Sequence, residues 1–439
     1  MKIERLWLIF SLLLITGAMG QERLTLDQAI ELAMEHNYAI RVARTESQIS
    51  RNNFHPGNAG MLPELAATAS TTHSVSNSKQ TYVTGNVIDR TNAVSDAKNL
   101  ALNFNWTLFD GLAMFANLNK LREFRDMGEL EARRAVETTL NEVISAYYDI
   151  LRQKQIQQSL EEAVTISEQR MRISEAKHAM GSESRFDLLN ARVDLNQDRS
   201  RLMNQEISLN NARTSLNELL GRAGDLHFEV VDTISFSRRL TLPDLREGLL
   251  QHNTDLLWAR KNHRAAEFDV AAACAPMLPR LGVNVGYTIA RSESQSGLMH
   301  SNKSHGYNYG VNASYTLFDG FSIHRNRQNA RVMERSQALR VLELQNQLEA
   351  ELTRLFQHYQ ANMALIDIER ENVQVARENV AISMEKYRLG SISALQMRDI
   401  QVKYLDAESR LISAQYSAKI HEIQLLKLSG ELVRLEEKS

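Results

Sequence analysis

The chain has very little cysteine and proline for its length. Only one of its 439 residues is a cysteine, Cys274, so no disulfide within the chain can hold a fold together. That thiol lies in an alanine-rich stretch, where a small buried hydrophobe is a better interpretation than a reactive group. The five prolines fall in three places, so long parts of the chain contain none.

Two segments lack almost every residue that ends helices. From Leu112 to Met180 there is no proline and a single glycine, Gly128, and from Phe321 to Leu389 there is neither. Because proline and glycine are the strongest helix breakers, each segment is predicted to be one helix. At ~1.5 Å per residue each would be roughly 100 Å long. Such lengths are typical of coiled-coil rods and far exceed those of globular helices.

Neither sign of charge dominates, and long apolar runs are missing. The net charge is -2 at pH 7 and both signs are mixed along the chain, which excludes a basic stripe and therefore a nucleic-acid partner. Residues 1–20 have a positive start, an apolar core and a small-residue end, which predict a signal peptide and an exported protein. Beyond them no run of eighteen apolar residues predicts a transmembrane helix. Such a chain is either soluble or spans a membrane with β-strands.

The sequence is duplicated. Several landmarks recur 216 or 209 positions later in the same order. They are Leu24-Thr25-Leu26 with Leu240-Thr241-Leu242, Met61-Leu62-Pro63 with Met277-Leu278-Pro279, the Leu-Phe-Asp-Gly motifs ending at Gly111 and Gly320, and Gly181 with Gly390. The spacing changes only between the second and third landmarks, which indicates an exposed loop tip there.

Each copy is predicted to contain a helix, a β-hairpin, a long helix and a return helix. The predicted ranges in the first repeat (21–221) are a helix over 26–60, a hairpin over about 62–109, a long helix over 111–180 and a return helix over 184–220. Those in the second repeat (240–430) are 242–274, about 279–318, 320–389 and 393–430, with a connector at 222–239 and a tail at 431–439. The return helices carry a seven-residue repeat, which predicts supercoiled helical hairpins.

The hairpins alternate apolar and polar residues over about ten positions, the span of a tilted membrane strand. In 102–108, for example, leucine and aromatic residues alternate with asparagine and threonine. One face would contact lipid, and the other, almost uncharged, would contact water. The aromatic residues Trp106, Phe109, Tyr315 and Phe318 are predicted to lie at the membrane interface.

Four strands cannot form a closed barrel, and lipid does not tolerate open sheet edges. Several copies must therefore combine their strands. Two copies would give eight strands and a filled interior, whereas three would give twelve strands and an open lumen. The helical rods would then form a tube with the same symmetry.

These motifs, in this order and present twice, make the chain resemble the TolC-like outer membrane factor family over essentially all of its exported part. The resemblance also includes the closing Leu-x-x-Leu-x-Gly motif at 216–221. It departs where the family often has a second glycine after Leu-Phe-Asp-Gly, since Leu112 and Phe321 stand there. The resemblance implies a mainly α-helical fold with four transmembrane β-strands per chain and a homotrimer. Its twelve-stranded β-barrel would stand on an α-helical barrel in the periplasm. It also implies a periplasmic adaptor and an inner-membrane transporter of the RND, ABC or MFS type.

The resemblance further implies a constriction at the periplasmic end. Relatives carry acids six and nine residues after the turn glycine, where this chain has Asp187 and Asn190 in one copy and Gln396 and Asp399 in the other. Tyr387 matches a tyrosine of the family's closing network, while Ile392 replaces a basic residue. Asp399, repeated threefold, is the candidate for an acidic constriction, although it and Asp187 could equally be ordinary helix-start acids. The turns Gly181-Ser182 and Gly390-Ser391 are the expected adaptor contacts, or simply helix-ending glycines.

No motif in the sequence predicts catalysis, a cofactor or a bound metal. There is no serine elbow, no phosphate loop and no histidine pair at ligand spacing. The preferred function is a passive outer-membrane exit duct for small molecules in a tripartite efflux system. The same duct serving type I protein secretion, or a soluble periplasmic coiled-coil adaptor, are the alternatives.

Overall fold

In a computed structural model, residues 22–236, 240–296 and 299–432 are described. The predicted signal peptide, the end of the connector and most of the predicted tail lie outside these residues. The described chain divides into two compact units. The helical unit comprises the chain up to Thr45, Glu131–Leu257 and the chain from Leu344 onward; the sheet unit comprises Glu46–Leu130 and Trp258–Glu343.

The chain is mainly helical. The helices are α1 Leu26–His36, α2 Tyr38–Asn53, α3 Ala113–Ala179, α4 Arg185–Leu219, α5 Leu242–His252, α6 Thr254–Cys274, α7 Ser322–Arg388 and α8 Ala394–Leu428. The strands are β1 Glu22–Leu24, β2 Glu64–Thr81, β3 Val87–Asp110, β4 Phe228–Val230, β5 Arg280–Ser294 and β6 Ser301–Ser314. Within the described part of the chain, no helix combines the length and apolar character needed to cross a membrane.

The prediction of one continuous first helix in each copy is wrong. Asn37 separates α1 from α2 because its backbone is extended and its side-chain oxygen accepts hydrogen bonds from the amides of Ala39 and Ile40 at 2.9 and 3.2 Å. Its amide group donates to the carbonyl of Leu219 at 2.8 Å. Asn253 separates α5 from α6 in the same way and donates to Leu428 at 3.0 Å. Each asparagine therefore starts one helix and holds the end of a return helix.

The return helices bury the stripe that carries the seven-residue repeat. Leu195, Leu209 and Leu216 of α4 are buried, and so are Met397 and Tyr404 of α8. The last two pack with Ile166, Val380 and Tyr387 in one apolar cluster that joins α3, α7 and α8. The hydrophobic contacts of the helical unit thus run between helices along their length, as in coiled coils.

The sheet unit contains one antiparallel sheet with strand order β2-β3-β5-β6. The strands are 18, 24, 15 and 14 residues long, so the predicted length of about ten is wrong. The apolar alternation detects only part of each strand, since pairing continues into polar residues such as His73 opposite Asp96. A separate parallel pair, β1 with β4, lies in the helical unit.

The Leu-Phe-Asp-Gly motifs end in a tight turn before each long helix. Asp110 accepts a hydrogen bond from the amide of Met114 at 3.1 Å, and Asp319 accepts one from Ile323 at 2.6 Å, so each carboxylate satisfies an amide in the first turn of its helix. Leu112 and Phe321, where relatives often have a second glycine, adopt left-handed backbone angles with φ of 74° and 63°. This conformation costs an L-residue ~1–2 kcal/mol, which explains why glycine suits the position.

Replacing Gly111 with alanine is expected to destabilise the sheet unit more than the same change at Gly320. Both glycines have positive φ, so both alanines cost ~1–2 kcal/mol of backbone strain. At Gly111 the new Cβ would also lie 2.1 Å from the backbone oxygen of Ala275, whereas nothing lies within 4 Å at Gly320. The clash adds roughly 1–3 kcal/mol. Thermal unfolding followed by circular dichroism should give the lower midpoint for Gly111→Ala, and equal midpoints would contradict this geometry.

Candidate functional site

The predicted helical tips are two sharp turns in the helical unit. At the end of α3 the amide of Gly181 donates to His178 and that of Ser182 donates to Lys177, both at 2.9 Å. Gly390 and Ser391 repeat the pattern at the end of α7, with 3.0 and 2.8 Å. Both glycines have left-handed backbone angles, with φ of 75° and 78°. They are therefore the terminating glycines of Schellman motifs, and all four tip residues are exposed.

Two of the predicted constriction residues serve the start of a return helix. The amide of Asp187 donates to the N-cap hydroxyl of Ser184 at 3.2 Å, and Ser184 donates back to the Asp187 carboxylate at 2.6 Å. Gln396 forms the equivalent capping box with Ser393. These contacts are local to α4 and α8. They fit the alternative interpretation, in which these residues serve only the start of a helix. The role of these residues in a constriction stays a proposal.

The other two predicted residues, Asn190 and Asp399, are exposed on α4 and α8. Asp399 accepts a hydrogen bond from the ammonium of Lys403, one turn further along α8, at 2.7 Å. An exposed pair of this kind contributes only ~0.2–1 kcal/mol and is easily exchanged for water or another ion. Within the described part of the chain, no hydrogen bond or ion pair joins these four side chains to one another.

Tyr387 differs from these four because it is buried, with 1% of its surface exposed. Its hydroxyl donates to the carboxylate of Glu183, in the turn between α3 and α4, at 2.9 Å. The ammonium of Lys177 lies 4.1 Å from the centre of its ring and donates to its backbone oxygen. Burial, assisted by the hydrogen bond to Glu183, raises the pKa of the Tyr387 phenol to about 12. The residue ties the end of α7 to the first tip as a neutral donor.

A buried charged cluster, not predicted from the sequence, lies further along the same helices. The carboxylate of Asp198 on α4 is fully buried and accepts hydrogen bonds from Arg398 of α8 at 2.7 and 3.1 Å. Ser167 of α3 donates to the same carboxylate at 2.5 Å, and Gln401 donates to Ser167 at 2.8 Å. The cluster therefore joins the hairpin α3–α4 to the hairpin α7–α8.

A second polar cluster surrounds Tyr404 on α8. Its hydroxyl donates to Glu162 of α3 at 2.8 Å and contacts Glu408, while Arg377 of α7 donates to the phenol oxygen at 3.0 and 3.1 Å. Burial and the bond to Glu408 raise the pKa of Tyr404. We call these two clusters the Asp198 cluster and the Tyr404 cluster.

The sequence did carry a signal for the Asp198 cluster. Asp198 stands seven residues after Ala191, and both lie on the buried side of α4. A charged residue on the apolar stripe of a coiled coil requires a partner. The heptad count predicts that need, but it does not identify Arg398, which is two hundred residues away in the chain.

One face of the sheet is apolar and exposed over five cross-strand rows. The rows contain Phe109, Leu281 and Ala313; Trp106, Val283 and Val311; Leu65, Phe104, Val285 and Tyr309; Ala67, Leu102, Tyr287 and Tyr307; and Ala69, Leu100, Ile289 and His305. With ~3.4 Å per residue the band is roughly 27 Å tall. Monomeric soluble proteins rarely expose an apolar area of this size, which marks it as a contact surface.

Of the predicted interface aromatics, Trp106 and Phe109 lie near the end of β3. The indole of Trp106 donates to the carbonyl of Met61 at 3.0 Å. Tyr315 and Phe318 are exposed and lie just beyond β6, between that strand and α7, so the predicted hairpin end at 318 is too late; their place at the membrane interface stays a prediction. Ser314 pairs with Arg280, the first residue of β5, so that strand offers no residue to pair with those that follow Ser314.

The opposite face carries asparagines packed over glycines. A Cβ built on Gly286 would lie 2.6 Å from the side-chain oxygen of Asn308, and one on Gly282 would lie 2.9 Å from that of Asn312. Asn284 covers Gly310 in the same way, at 3.1 Å. The missing side chains let the amides lie flat on the neighbouring strand. The resulting surface is polar and almost uncharged, with Glu64 in the row of Asn105 and Asn284.

Among the described residues one group could in principle hold a metal ion, namely His263, Glu267 and Glu334. The Nε2 atom of His263 lies 2.8 Å from Glu334, but it is Nδ1 that faces Glu267, at 3.9 Å. Because the two carboxylates meet opposite sides of the ring, the arrangement suits an ion-pair bridge better than one shared cation.

Comparison with known proteins agrees with this architecture. The structure of VceC from Vibrio cholerae superimposes with a TM-score of 0.76 at 20% identity, covering 92% of this chain and 96% of that one. Over 406 residues the chain is 22% identical to the cation efflux system protein CusC of Escherichia coli, covering 91% of this chain and 85% of CusC. Over 418 residues it is 22% identical to the proteases secretion protein PrtF of Dickeya chrysanthemi, covering 93% and 88%.

A family model matches most of the chain, over residues 29–222 and 245–431. The two matched segments contain the helical tips, the Asp198 and Tyr404 clusters and the four-stranded sheet. The chain is a member of the outer membrane efflux protein family.

Proposed function

We propose that three copies of this outer-membrane protein form a passive exit duct, a twelve-stranded β-barrel on an α-helical barrel. The observation that carries the proposal is the sheet. Its apolar face is roughly 27 Å tall, close to the ~25 Å band of membrane barrels. Among the described residues, β2 and β6 each pair on one side only. Lipid does not tolerate such open edges, so β6 of one copy must pair with β2 of the next.

The number of copies follows from what the sheet must enclose. Two copies would give eight strands, whose interior is filled by side chains. Three copies give twelve strands and leave an aqueous lumen. The asparagine–glycine face, including Asn308 and Gly286, would line that lumen. Its amides offer hydrogen bonds without fixed charge, which suits the passage of diverse cargo.

In the helical part, the two hairpins α3–α4 and α7–α8 would represent tandem repeats and alternate around the tube in all three copies. The exposed tips, Gly181-Ser182 and Gly390-Ser391, would contact a periplasmic adaptor. That adaptor would connect the duct to an inner-membrane transporter of the RND, ABC or MFS type. The duct itself performs no chemistry, and it needs no cofactor.

Small-molecule efflux is the preferred use, because the family is one of efflux proteins. Protein secretion is the second candidate, favoured by the likeness to PrtF, whose name assigns it to the secretion of proteases. Two measurements on a strain that lacks the gene separate the two uses. One is the sensitivity of the cells to drugs and metals, and the other is the set of proteins that they secrete. Efflux predicts hypersensitivity with an unchanged secretome.

The oligomer is tested by extracting the protein from membranes and measuring its native mass in detergent. A trimer that fractionates with the outer membrane supports the duct. A monomer that stays dissolved in plain buffer contradicts it and favours a soluble helical adaptor.

Replacing Asp399 with alanine is expected to raise single-channel conductance in planar bilayers and to weaken block by multivalent cations. Asp399 is exposed near the second tip, and three copies close to the duct axis would form a ring of negative charge that attracts cations. Asp406, exposed seven residues further along α8, is the matched control because it lies on the same side of the helix but farther from the tip. If Asp399→Ala leaves cation block unchanged, or Asp406→Ala has the larger effect, Asp399 does not line the constriction.

A further inference from the structure

We propose that a row of basic residues on the sheet, Lys98, Arg291 and Lys303, binds the phosphate groups of lipid headgroups. The inference depends on the proposed function, because it requires the apolar face of the sheet to contact a bilayer. It adds a specific lipid contact, at the end of the apolar band that is nearer the hairpin tips.

The strand register places the three cations side by side. Lys98 of β3 pairs with Arg291 of β5, and Arg291 pairs with Lys303 of β6. The row follows directly after the fifth apolar row, which ends with Ile289 and His305, and it lies on the same face. The cations are therefore located where the hydrocarbon layer would end and the headgroups would begin.

Such a row is unfavourable unless an anion is present. Like charges directly opposite each other on neighbouring strands destabilise a sheet, since their Cβ atoms are only ~4.5–5.5 Å apart. Arg291 is neutralised by Glu293, whose carboxylate lies 2.6 Å from its guanidinium. The other acid in the next row, Asp96, is held by His73 at 2.7 Å.

The other two cations of the row are Lys98 and Lys303. Both are exposed, and within the described ranges neither ammonium has an ion-pair partner. They flank Arg291 across the strands, so a phosphate group resting between them would meet positive charge from two sides. Basic residues near a membrane surface attract anionic headgroups, and phosphate oxygens are the acceptors that lysine binds as a point charge.

The experiment uses the full chain in detergent, titrated with diphosphoryl lipid A and followed by native mass spectrometry. The comparison lipid is lipid A from which both phosphates have been removed. The test variant is Lys98→Gln/Lys303→Gln. The control is Lys79→Gln, which removes a lysine from β2 nearer the hairpin tip, where it pairs with Asp89.

The wild-type protein and Lys79→Gln should both prefer the phosphorylated lipid. Each lysine in the row should contribute about fivefold to its affinity, so the double variant should bind roughly 30-fold more weakly. Equal binding of both lipids, an unweakened double variant, or full displacement by inorganic phosphate at millimolar concentration would overturn the proposal. The same spectra report the oligomer, so absence of a trimer would indicate instead that the proposed function has failed.

Discussion

Replacing Arg398 with methionine should destabilise the helical unit and, in the proposed duct, raise the resting conductance. The change removes the nearest cation from Asp198, a fully buried carboxylate, and leaves Arg201 3.7 Å away. Breaking a buried pair by removing one partner costs ~3–5 kcal/mol, and because Arg201 and the donor Ser167 remain we expect the lower end of that range. Because the pair joins α4 to α8, its loss frees the two hairpins to separate. Thermal unfolding and planar-bilayer recording measure the two effects.

Two controls isolate the buried charge. Arg388→Met removes an arginine whose pair with Glu385 is largely exposed, so it should change stability by less than ~1 kcal/mol. The double variant Asp198→Leu/Arg398→Met removes both charges and should recover most of the lost stability, since apolar replacement of a buried pair is often neutral. Ser167 and Gln401 can still bond to each other in it. A double variant as unstable as the single one would show that the charge of Asp198 is not the cause.

The long helices could be predicted because the sequence lacks the residues that stop them. Inside α3 only Gly128 interrupts the pattern, and α7 contains neither proline nor glycine. The breaks at Asn37 and Asn253 could not be predicted in the same way. Asparagine is a weak helix breaker, and it ends α1 and α5 here because its side chain caps the next helix and reaches a return helix far away in the chain. The helix propensity of a residue contains no information on such distant partners.

In the sheet, too, the sequence predicts some features and not others. Alternation predicts which residues share a face, because successive side chains of a strand point to opposite sides. It does not predict where a strand ends when polar pairing continues, as between His73 and Asp96. Nor does it predict the row formed by Lys98, Arg291 and Lys303, which are far apart in the sequence and depend on the register of three strands. The partners of Asp198 on other helices could not be predicted for the same reason, because they are far from it in the sequence.

Proline at two positions of β6, in the variant Tyr309→Pro/Val311→Pro, should abolish the proposed trimer while leaving each chain folded. The amide of Ser294 donates to His300, so with the unbroken register of β5 and β6 the odd-numbered residues of β6 direct their amides away from β5. The two prolines therefore remove only donors on the side of β6 that β5 does not use, where the proposed neighbouring copy would pair. Each carbonyl left unpaired in lipid costs several kcal/mol, which a single interface cannot recover.

The matched control is Tyr309→Ala/Val311→Ala, which removes the same side chains and keeps both amides. Native mass in detergent should give trimers for the alanine variant and monomers for the proline variant, with the helical circular dichroism of both unchanged. If the proline variant stays trimeric, β6 is not the strand that joins neighbouring copies. Loss of the trimer in both variants would assign the contact to the side chains of Tyr309 and Val311 and not to backbone pairing. The two outcomes thus separate a continuous barrel from a sheet that associates only through its apolar face.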